Sequence, residues 1–415
     1  MKISYNWLKW YVPELPAASK LADVFTYHLA EVESVETLPD GDTLYDINVL
    51  PNRAHDLLSF KGVAEELAGQ LGLKYVDPTP HYKIPESLPT KLSVEIETPN
   101  CRRYMARIVR NVKVGPSPEW VVKHLESIGQ RSINNVVDAT NLTLFNCGQP
   151  THAFDLAKLS SERIVVRMAS EGEAMTTLDK KEISAKASDA VIADEAGVLA
   201  LAGVKGGTRA EVDGSTTSIL LEVANFAPST VRKTARRLSL FTDAAKRFEN
   251  DLSPELAPYG MRELSALMAE MFPEAAFEDV VDAYPDPQPQ RVLPFSAREV
   301  SVLIGSDVSA DEIEAIFVRY GFTYDRDDES FKLVVPALRL DLVGPHDVAE
   351  EIGRIIGYDK VAPVLPKIGF APKPNEQHLR MSAAREKLLA AGYSEAMTYS
   401  FGKKGEVEAQ HVEAA

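Results

Sequence analysis

Proline-rich segments divide this chain of 415 residues more sharply than any other feature of its sequence. Residues 77–90 hold four prolines, residues 284–290 alternate proline with polar residues, and a third proline-rich stretch covers residues 363–374. Proline fixes φ and lacks a backbone N–H, so such segments neither pair in a sheet nor continue a helix. The length also exceeds the ~100–200 residues of one ordinary domain. The sequence therefore predicts several modules joined by linkers.

Apolar residues in the first module switch between helical spacing and strand-like alternation. The pattern predicts a helix over residues 17–32, an alternating strand around Ile47, and a second helix that ends at Gly72. We therefore interpret residues 1–76 as a small N-terminal α/β unit and residues 77–90 as the linker that follows it.

The second module, residues 91–284, is the longest and carries most of the strand-like pattern. Short apolar runs separated by turn residues predict a mixed, β-rich body. Ser117 followed by Pro118 has the composition of a helix start, with Ser117 as the N-cap. An arginine-rich helix is predicted from about Ser229.

The third module, residues 291–362, has helical spacing on either side of an alternating stretch. It predicts helices at 300–304 and 310–320, strands around 322–335, and a last helix over 345–356. These elements indicate a compact module of helices and strands.

The last segment, residues 375–415, begins with an amphipathic pattern that predicts a helix, and the pattern of residues 397–401 predicts a strand. A charged tail without apolar periodicity follows and stops at Ala415, which favours an incomplete reading frame. Taken together, the modules predict an α+β multidomain protein.

Charge and cysteine content restrict the classes of function. The formal net charge of −16 means that any contact with nucleic acid must come from a local basic patch. Cys101 and Cys147 lie far apart and form no CxxC pair, so neither a disulfide framework nor a thiolate zinc site is supported. No apolar run approaches the ~20 residues of a membrane helix, and the N-terminus lacks the apolar region of a secretory signal. We expect a cytoplasmic protein without a membrane partner.

Generic catalytic motifs are missing, whereas longer strings are informative. The sequence has no P-loop, no GxSxG elbow, no HExxH helix, and neither HxGH nor KMSKS. Its opening, MKISYNWLKWYVPEL, and the later YDINVLPNRAHDLLSFKGVAEELAGQLG resemble the β subunits of bacterial phenylalanyl-tRNA synthetases. In this chain residues 16–44 join the two strings. The resemblance therefore implies a short form without the OB-type tRNA-binding domain, in which the inactive class II catalytic-like domain only begins, at 375–415.

Six strings in the second module follow the order and spacing of the editing module of that family, called B3/B4. They are NNVVDATN (134–141), GQPTHAFD (148–155), LAGVKGG (201–207), LLEVANF (220–226), VRKTARR (231–237) and KRFE (246–249). In the family this module hydrolyses tyrosine wrongly attached to tRNA-Phe, which requires recognition of one phenolic hydroxyl.

The resemblance implies roles for individual residues of this module. Glu222 would accept the hydrogen bond of the tyrosine hydroxyl, with Ala202 and the backbone of Gly203 beside it. His152 and Thr140 would surround the ester and the attacking water. The residue types alone leave other interpretations open: His152 as a hydrogen-bonded structural histidine, and Glu222 as the solvated face of an alternating strand.

A basic cluster interrupts the acidic chain at Arg232, Lys233, Arg236 and Arg237, followed by Lys246 and Arg247. It predicts either phosphate contacts with the acceptor end of tRNA or a solvated helix face paired with acids such as Glu249 and Asp251. The nearby string TDAAKRFENDLSP departs from the family pattern, roughly TEASxRFExGxDP, at residues 250–251.

The block at 331–360 resembles the B5 domain of the family, whose fold is similar to a winged helix. Asp341, Asp347, Glu350 and Glu351 coincide with acidic positions that the family associates with Mg²⁺ near the α subunit. An acidic helix N-terminus is the alternative interpretation. We expect no metal in the isolated chain.

The resemblance implies a subunit that joins an α chain in a heterotetramer of two α and two β subunits. The α chain would use ATP to attach phenylalanine to tRNA-Phe, while this chain would remove mischarged tyrosine. A scaffold or interaction fragment without activity and a free-standing aminoacyl-tRNA deacylase are the alternatives.

Overall fold

The computed structural model describes residues 1–371 and 373–402. The chain divides into two compact units, Met1–Val361 and Ala362–Ala415. Most of the predicted charged tail, residues 403–415, lies outside the described residues. No helix in the described residues has the length and apolar character needed to cross a membrane.

The N-terminal segment folds into a three-stranded sheet with helices beside it, in the strand order β1-β3-β2. The first long helix ends at His28, so the prediction of a helix as far as residue 32 was wrong. Val32 pairs instead with Ile47 in a strand, because edge pairing satisfies its backbone groups. The elements are β1 (Lys2–Ser4), α1 (Tyr5–Leu8), α2 (Ala18–His28), β2 (Glu31–Thr37), β3 (Thr43–Asn48), α3 (Ala54–Leu57) and α4 (Phe60–Leu71).

Residues close together in sequence determine the ends of helix α4 and the turn between β2 and β3. Ser59 accepts a hydrogen bond from the Gly62 N–H at the start of α4, and Gly72 ends the helix with a φ of 65°. Between β2 and β3 the chain turns within five residues, 38–42, and the Leu38 N–H donates to the Asp42 carbonyl.

The central region builds two five-stranded sheets. One has the order β12-β11-β10-β7-β4, and the other has β14-β5-β13-β6 with β15 also paired to β5. The elements are β4 (Ser93–Ile96), β5 (Cys101–Arg110), α5 (Glu119–Ser127), α6 (Asn135–Cys147), β6 (Thr151–Asp155), β7 (Arg163–Met168), β8 (Ala174–Thr176), β9 (Glu182–Ser184), β10 (Ala190–Asp194), β11 (Gly197–Leu201), β12 (Lys205–Gly206), β13 (Ser218–Phe226), α7 (Pro228–Leu238), α8 (Asp243–Phe248), α9 (Leu256–Met271), β14 (Ala276–Phe277) and β15 (Val281–Ala283).

Strand β13 is buried on both faces because a hydrophobic core lies on each side of it. Alternate residues from Ile219 to Val223 belong to a core shared with the N-terminal segment and with α5, α6 and α9. The intervening residues, from Leu220 to Phe226, belong to a second core shared with the other sheet and with α7 and α8. Glu222 is at one of these intervening positions, so its side chain points toward the second core.

One predicted cap in this region was wrong. Helix α5 begins at Glu119 after Pro118, and the Ser117 hydroxyl donates to the Asp138 carboxylate at 2.5 Å instead of capping the helix. The Asp138 carboxylate is buried at the start of α6 and is therefore a stronger acceptor for this hydroxyl than water.

The third module contains three helices and the antiparallel sheet β16-β18-β17 around its own core. The predicted helices over 310–320 and 345–356 are confirmed. The helix predicted at 300–304 begins earlier, since a capping box between Ser296 and Glu299 starts it at Ala297. The elements are β16 (Val292–Ser296), α10 (Ala297–Ile304), α11 (Ala310–Tyr320), β17 (Thr323–Asp327), β18 (Ser330–Val334) and α12 (Pro345–Ile356). The predicted α+β multidomain class is thus confirmed.

The second unit contains one helix, α13 (Glu376–Ala390), within its described residues. Residues 397–401 were predicted as a strand, but they have no regular structure. A strand requires a neighbouring strand to satisfy its backbone groups, and the described part of this unit contains none.

Candidate functional site

Glu222 and His152 lie side by side on adjacent strands of the second central sheet, Glu222 on the inner strand β13 and His152 on the edge strand β6. They are direct partners in the antiparallel register of β13 and β6. Directly opposed residues project from the same face of a sheet, so the carboxyl and imidazole groups both point toward the second core. The His152 ring also meets the edge of the Phe154 ring, at 4.6 Å between centroids.

A cavity of about 80 Å³ opens beside these two side chains. Both sheets contribute to its walls, together with residues 203–204 and helix α8. The lining residues are Pro150, Thr151, His152, Ile192, Ala200, Leu201, Gly203, Val204, Lys205, Gly206, Glu222, Phe226, Ala244 and Phe248.

Burial makes the side chains of Glu222 and His152 uncharged near neutral pH. Glu222 is 7% exposed, and burial raises the pKa of its carboxyl group to about 8. Burial also lowers the pKa of His152 to about 4. No cation within the described residues forms an ion pair with Glu222. A protonated carboxyl group can both donate and accept a hydrogen bond, and a neutral imidazole can accept a proton.

Two glycines of the LAGVKGG string bring backbone close to this site. Gly203 has a φ of 70°, and a Cβ there would approach Phe226, Phe248 and Val231 at 3.0 Å. A Cβ on Gly206 would lie 2.8 Å from the Cε1 atom of His152. Both positions therefore require glycine, Gly203 because of its backbone conformation and Gly206 because of the imidazole.

Two residues predicted for the site do not line the cavity. The Thr140 hydroxyl donates to the Val137 carbonyl of its own helix at 2.7 Å, and Ala202 is buried with its N–H bonded to the Ala190 carbonyl. Thr151 lines the cavity instead, and its hydroxyl donates to the Thr140 carbonyl at 3.2 Å. Thr140 thus contacts the cavity indirectly, by accepting a hydrogen bond from the lining residue Thr151. The roles assigned to all these residues stay predictions.

Thr151 and Gly206 are the residues of this site that reasoning from the sequence missed. Both lie within strings that had been singled out, GQPTHAFD and LAGVKGG. The strings marked the segments, but the strand pairing decided which side chains of each segment meet the cavity.

Some residues of the basic cluster are exposed without a partner among the described residues, and others bond to neighbouring residues. Lys233 and Arg236 are exposed on α7 and form no ion pair within the described residues. Arg232 donates to the Glu249 carbonyl at 2.8 Å, and Arg237 pairs with the buried Asp189 carboxylate. The interpretation as a helix face paired with acids therefore holds for Arg232 and Arg237, and phosphate contact by Lys233 and Arg236 stays a prediction.

Arg247 does not belong to an exposed basic surface. Its side chain is 2% exposed, donates to the Leu58 carbonyl at 3.0 Å, and lies 5.0 Å from the centroid of the Phe145 ring. Burial lowers its pKa to about 10. Arg247 therefore links α8 to the N-terminal segment through a buried hydrogen bond.

The departure from the family pattern at residues 250–251 forms a tight turn. Asp251 has a φ of 66°, a left-handed conformation that aspartate adopts more readily than most residues with a Cβ. Its carboxylate pairs with Arg102 at 2.5 Å. The ion pair thus holds a turn in which Asp251 takes the place of the glycine of the family pattern.

The four carboxylates predicted to hold Mg²⁺ are not brought together as ligands. Asp347 accepts two backbone N–H groups at the start of α12, both at 2.8 Å, and Glu350 is exposed. Asp341 pairs with Arg339 at 2.7 Å and contacts the imidazole of His55 at 3.0 Å. Among the described residues, no group of three or more His, Cys, Asp or Glu side chains has a metal-binding arrangement. These carboxylates do not fit a common metal site, and magnesium binding stays a prediction.

Glu351 and Glu66 instead form a buried ion-pair network between α12 and the N-terminal segment. Glu351 pairs with Arg339 and Arg354 at 2.7 Å and with Arg53 at 3.3 Å. Glu66 pairs with Arg354 at 2.6 Å and with Arg53 at 2.9 Å. Burial alone would raise the pKa of Glu66, but Arg354 and Arg53 outweigh it and hold the pKa well below its ordinary value.

Comparison with known proteins adds two domain assignments. Residues 100–273 match the family model described as the B3/4 domain, and residues 293–358 match the tRNA synthetase B5 domain. The cavity beside Glu222 lies in the first of these, and α12 lies in the second. Both domains in one chain define a protein of the tRNA synthetase class.

Relatives specify the family within that class. The chain is 38% identical to the phenylalanine–tRNA ligase β subunit of Geobacter sulfurreducens, over 88% of this chain and 46% of that protein. It is 37% identical to the β subunit from Rhodopirellula baltica, over 96% of this chain and 59% of that protein. The chain belongs to the family of phenylalanine–tRNA ligase β subunits. It spans about half the length of the curated relatives it matches.

A solved structure also matches along most of the chain. It is an N-terminal fragment of the phenylalanyl-tRNA synthetase β subunit from Pyrococcus horikoshii, 13% identical, with a TM-score of 0.48. The match covers 86% of this chain and 99% of that fragment.

Proposed function

We propose that this chain hydrolyses the ester of tyrosine wrongly attached to tRNA-Phe, with Glu222 and His152 as the residues that contact the substrate. The pairing of these two side chains across β13 and β6, at the wall of one cavity, is the observation that supports the proposal most strongly. The match of the surrounding residues to the B3/4 domain supports it further.

Glu222 would distinguish tyrosine from phenylalanine. With a pKa of about 8 its carboxyl group is mostly protonated at pH 7, so it can exchange hydrogen bonds with a phenolic hydroxyl. Phenylalanine has no hydroxyl and would leave this buried group without a partner. A site that depends on such a bond rejects the analogue lacking it far more strongly than an apolar pocket does.

His152 would orient the water that attacks the ester. In the reaction a bond forms between the water oxygen and the carbonyl carbon, the bond from that carbon to the ribose oxygen breaks, and a proton moves from water to the ribose oxygen. A neutral imidazole can accept the water proton at the start of this transfer. The N–H of Gly203, which has no backbone partner among the described residues, would donate to the tyrosine hydroxyl beside Glu222.

We also propose that the chain acts as part of a ligase with an α chain that attaches phenylalanine to tRNA-Phe using ATP. Kinship with phenylalanine–tRNA ligase β subunits supports this role in phenylalanyl-tRNA synthesis. No step of the synthetic reaction is assigned to residues of this chain. Pull-down of a tagged matching α subunit with the full chain tests the association, and failure to recover a complex would contradict it.

Deacylation of Tyr-tRNA-Phe by the purified chain tests the hydrolytic proposal, with Phe-tRNA-Phe as the comparison substrate. We expect the His152→Ala change to slow hydrolysis about 100-fold. The Glu222→Ala change should slow it about 10- to 100-fold by removing the hydroxyl contact. Glu195→Ala, at an exposed turn between β10 and β11, is the matched control and should leave the rate unchanged.

Absence of hydrolysis by the wild-type chain would overturn the editing proposal and leave the scaffold interpretation. Equal rates for the wild-type chain and both site variants would overturn the assignment of residues.

A further inference from the structure

Phe241 is an exposed aromatic residue in the short connection between α7 and α8. Its side chain is 80% exposed, the largest exposure of any aromatic residue in the described part of the first unit. A single exposed apolar side chain needs no explanation by itself. The position of this one, beside the cavity of Glu222 and between two helices that carry cationic side chains, is what distinguishes it.

The backbone on both sides of Phe241 is fixed. Leu240 is buried in the second core, and its N–H donates to the Ala235 carbonyl at 2.9 Å. On the other side, the Thr242 hydroxyl donates to the Val204 carbonyl at 3.0 Å and caps α8. The ring is therefore presented from an ordered turn rather than from a flexible loop.

The same contacts place Phe241 at the rim of the cavity. Val204, which accepts the bond from Thr242, is one of the lining residues. Ala244, three positions after Phe241, is another. Phe241 thus stands just outside a cavity whose inner wall holds Glu222 and His152.

Exposed cationic side chains lie on the two helices that flank this turn. Lys233 and Arg236 are exposed on α7, and Lys246 is exposed on α8. None of the three forms an ion pair within the described residues. An exposed aromatic ring between two helices that carry free cations has the composition of a surface for single-stranded nucleic acid. It is the kind of local basic patch that a chain with a net charge of −16 needs for such contacts.

We propose that Phe241 is the platform on which the base of the 3′-terminal nucleotide of tRNA stacks while the aminoacyl group occupies the cavity. This inference rests on the proposed hydrolysis of an aminoacyl ester. The ester joins the amino acid to the ribose of that nucleotide, so with the amino acid inside, the base must lie near the rim. The unpaired base offers a flat face that an aromatic ring can cover, and the nearby cations suit the phosphates.

Steady-state hydrolysis of Tyr-tRNA-Phe tests the stacking contact. We expect the Phe241→Ala change to raise KM about 10-fold while kcat stays within two-fold, because stacking contributes to binding and not to the attack of water. Phe241→Trp should keep the wild-type KM, since its ring also stacks. Tyr27→Ala removes an aromatic residue that is 76% exposed on α2 and is the matched control.

A binding assay gives a readout that does not depend on hydrolysis. The probe is an RNA hairpin with a single-stranded 3′ end that carries 2-aminopurine as its last base, mixed with the full chain. Stacking on Phe241 should quench the fluorescence, and Phe241→Ala should abolish the quenching while Phe241→Trp retains it.

The two readouts separate the outcomes. Hydrolysis by the wild-type chain, with KM and quenching unaffected by Phe241→Ala, would overturn the stacking proposal and leave the hydrolytic one intact. Quenching that depends on Phe241 in a chain without hydrolytic activity would overturn only the hydrolytic proposal. No quenching with the wild-type chain would overturn the stacking proposal.

Discussion

Glu222 and His152 are directly opposed on β13 and β6, and their ionisable groups share one face of a sheet that is buried on both sides. Neither group has a charged partner that would stabilise its ionised form, so burial alone shifts both pKa values. The pair is therefore kept uncharged at neutral pH by its position in the fold.

A methyl group at Gly206 should disturb the His152 ring. The Cβ of an alanine would lie 2.8 Å from Cε1 and 2.9 Å from Nε2 of the imidazole, closer than real contacts allow. We expect Gly206→Ala to slow Tyr-tRNA-Phe hydrolysis at least about 10-fold, as a displacement of roughly 1 Å in an active site can. Gly214→Ala is the control, because no atom lies within 4 Å of its Cβ position. Equal rates for the two variants would contradict the proposed role of His152.

The pH dependence of hydrolysis should lack the usual histidine step. Because burial lowers the pKa of His152 to about 4, its imidazole is already neutral at pH 5. We expect the rate for Tyr-tRNA-Phe to show no inflection near pH 6.5 between pH 5 and 7. An inflection there that disappears in His152→Gln would mean that the imidazole titrates normally and is not buried as described.

Glu222 should make the fold less stable at alkaline pH. Its pKa is raised from 4.5 to about 8, so the folded state holds this proton more tightly than the unfolded state does. The contribution of the group is fully present below pH 4.5 and is lost as the pH rises through about 8. The free energy of unfolding, measured with urea, should be lower at pH 9 than at pH 5. We expect this difference to be smaller by roughly 3–5 kcal/mol in Glu222→Gln than in the wild-type chain.

Glu263 is a second buried carboxyl group that should contribute to the pH dependence of the free energy of unfolding. Burial also raises the pKa of this residue to about 8, so a decline from Glu263 should remain in Glu222→Gln and disappear in the double variant with Glu263→Gln. Identical pH profiles for the wild-type chain and Glu222→Gln would show that Glu222 ionises freely.

Removing the charge of Glu351 should loosen the contact between α12 and the N-terminal segment. Arg339, Arg354 and Arg53 would then be left partly uncompensated in a buried network. We expect Glu351→Gln to lower the free energy of unfolding by about 3 kcal/mol, the usual scale for breaking a buried pair. Glu350→Gln changes the exposed neighbour on the same helix and should have almost no effect. Equal stability of the two variants in urea unfolding would be incompatible with the network.

Local sequence signals were sufficient for the elements that depend on neighbouring residues. Helix α4 starts at a serine cap and ends at Gly72, and helices α11 and α12 have the bounds that apolar spacing predicts. Where a contact distant in sequence competes, the local prediction was wrong: the Ser117 hydroxyl binds Asp138 instead of capping α5, and Val32 pairs with Ile47 instead of extending α2.

The sequence by itself determined the family and the segments that carry the site, because those depend on the order of strings along the chain. Only the tertiary structure decided the state of the side chains. The alternation of apolar and polar residues around Glu222 was equally compatible with a strand that has one face in water. The strand is buried because segments distant in sequence form a hydrophobic core on each of its faces. Glu351 was predicted from the sequence as a metal ligand, and only the tertiary structure places Arg53, 298 residues away in sequence, beside its carboxylate. Burial and charge pairing arise from contacts between distant residues, and local periodicity carries no record of such contacts.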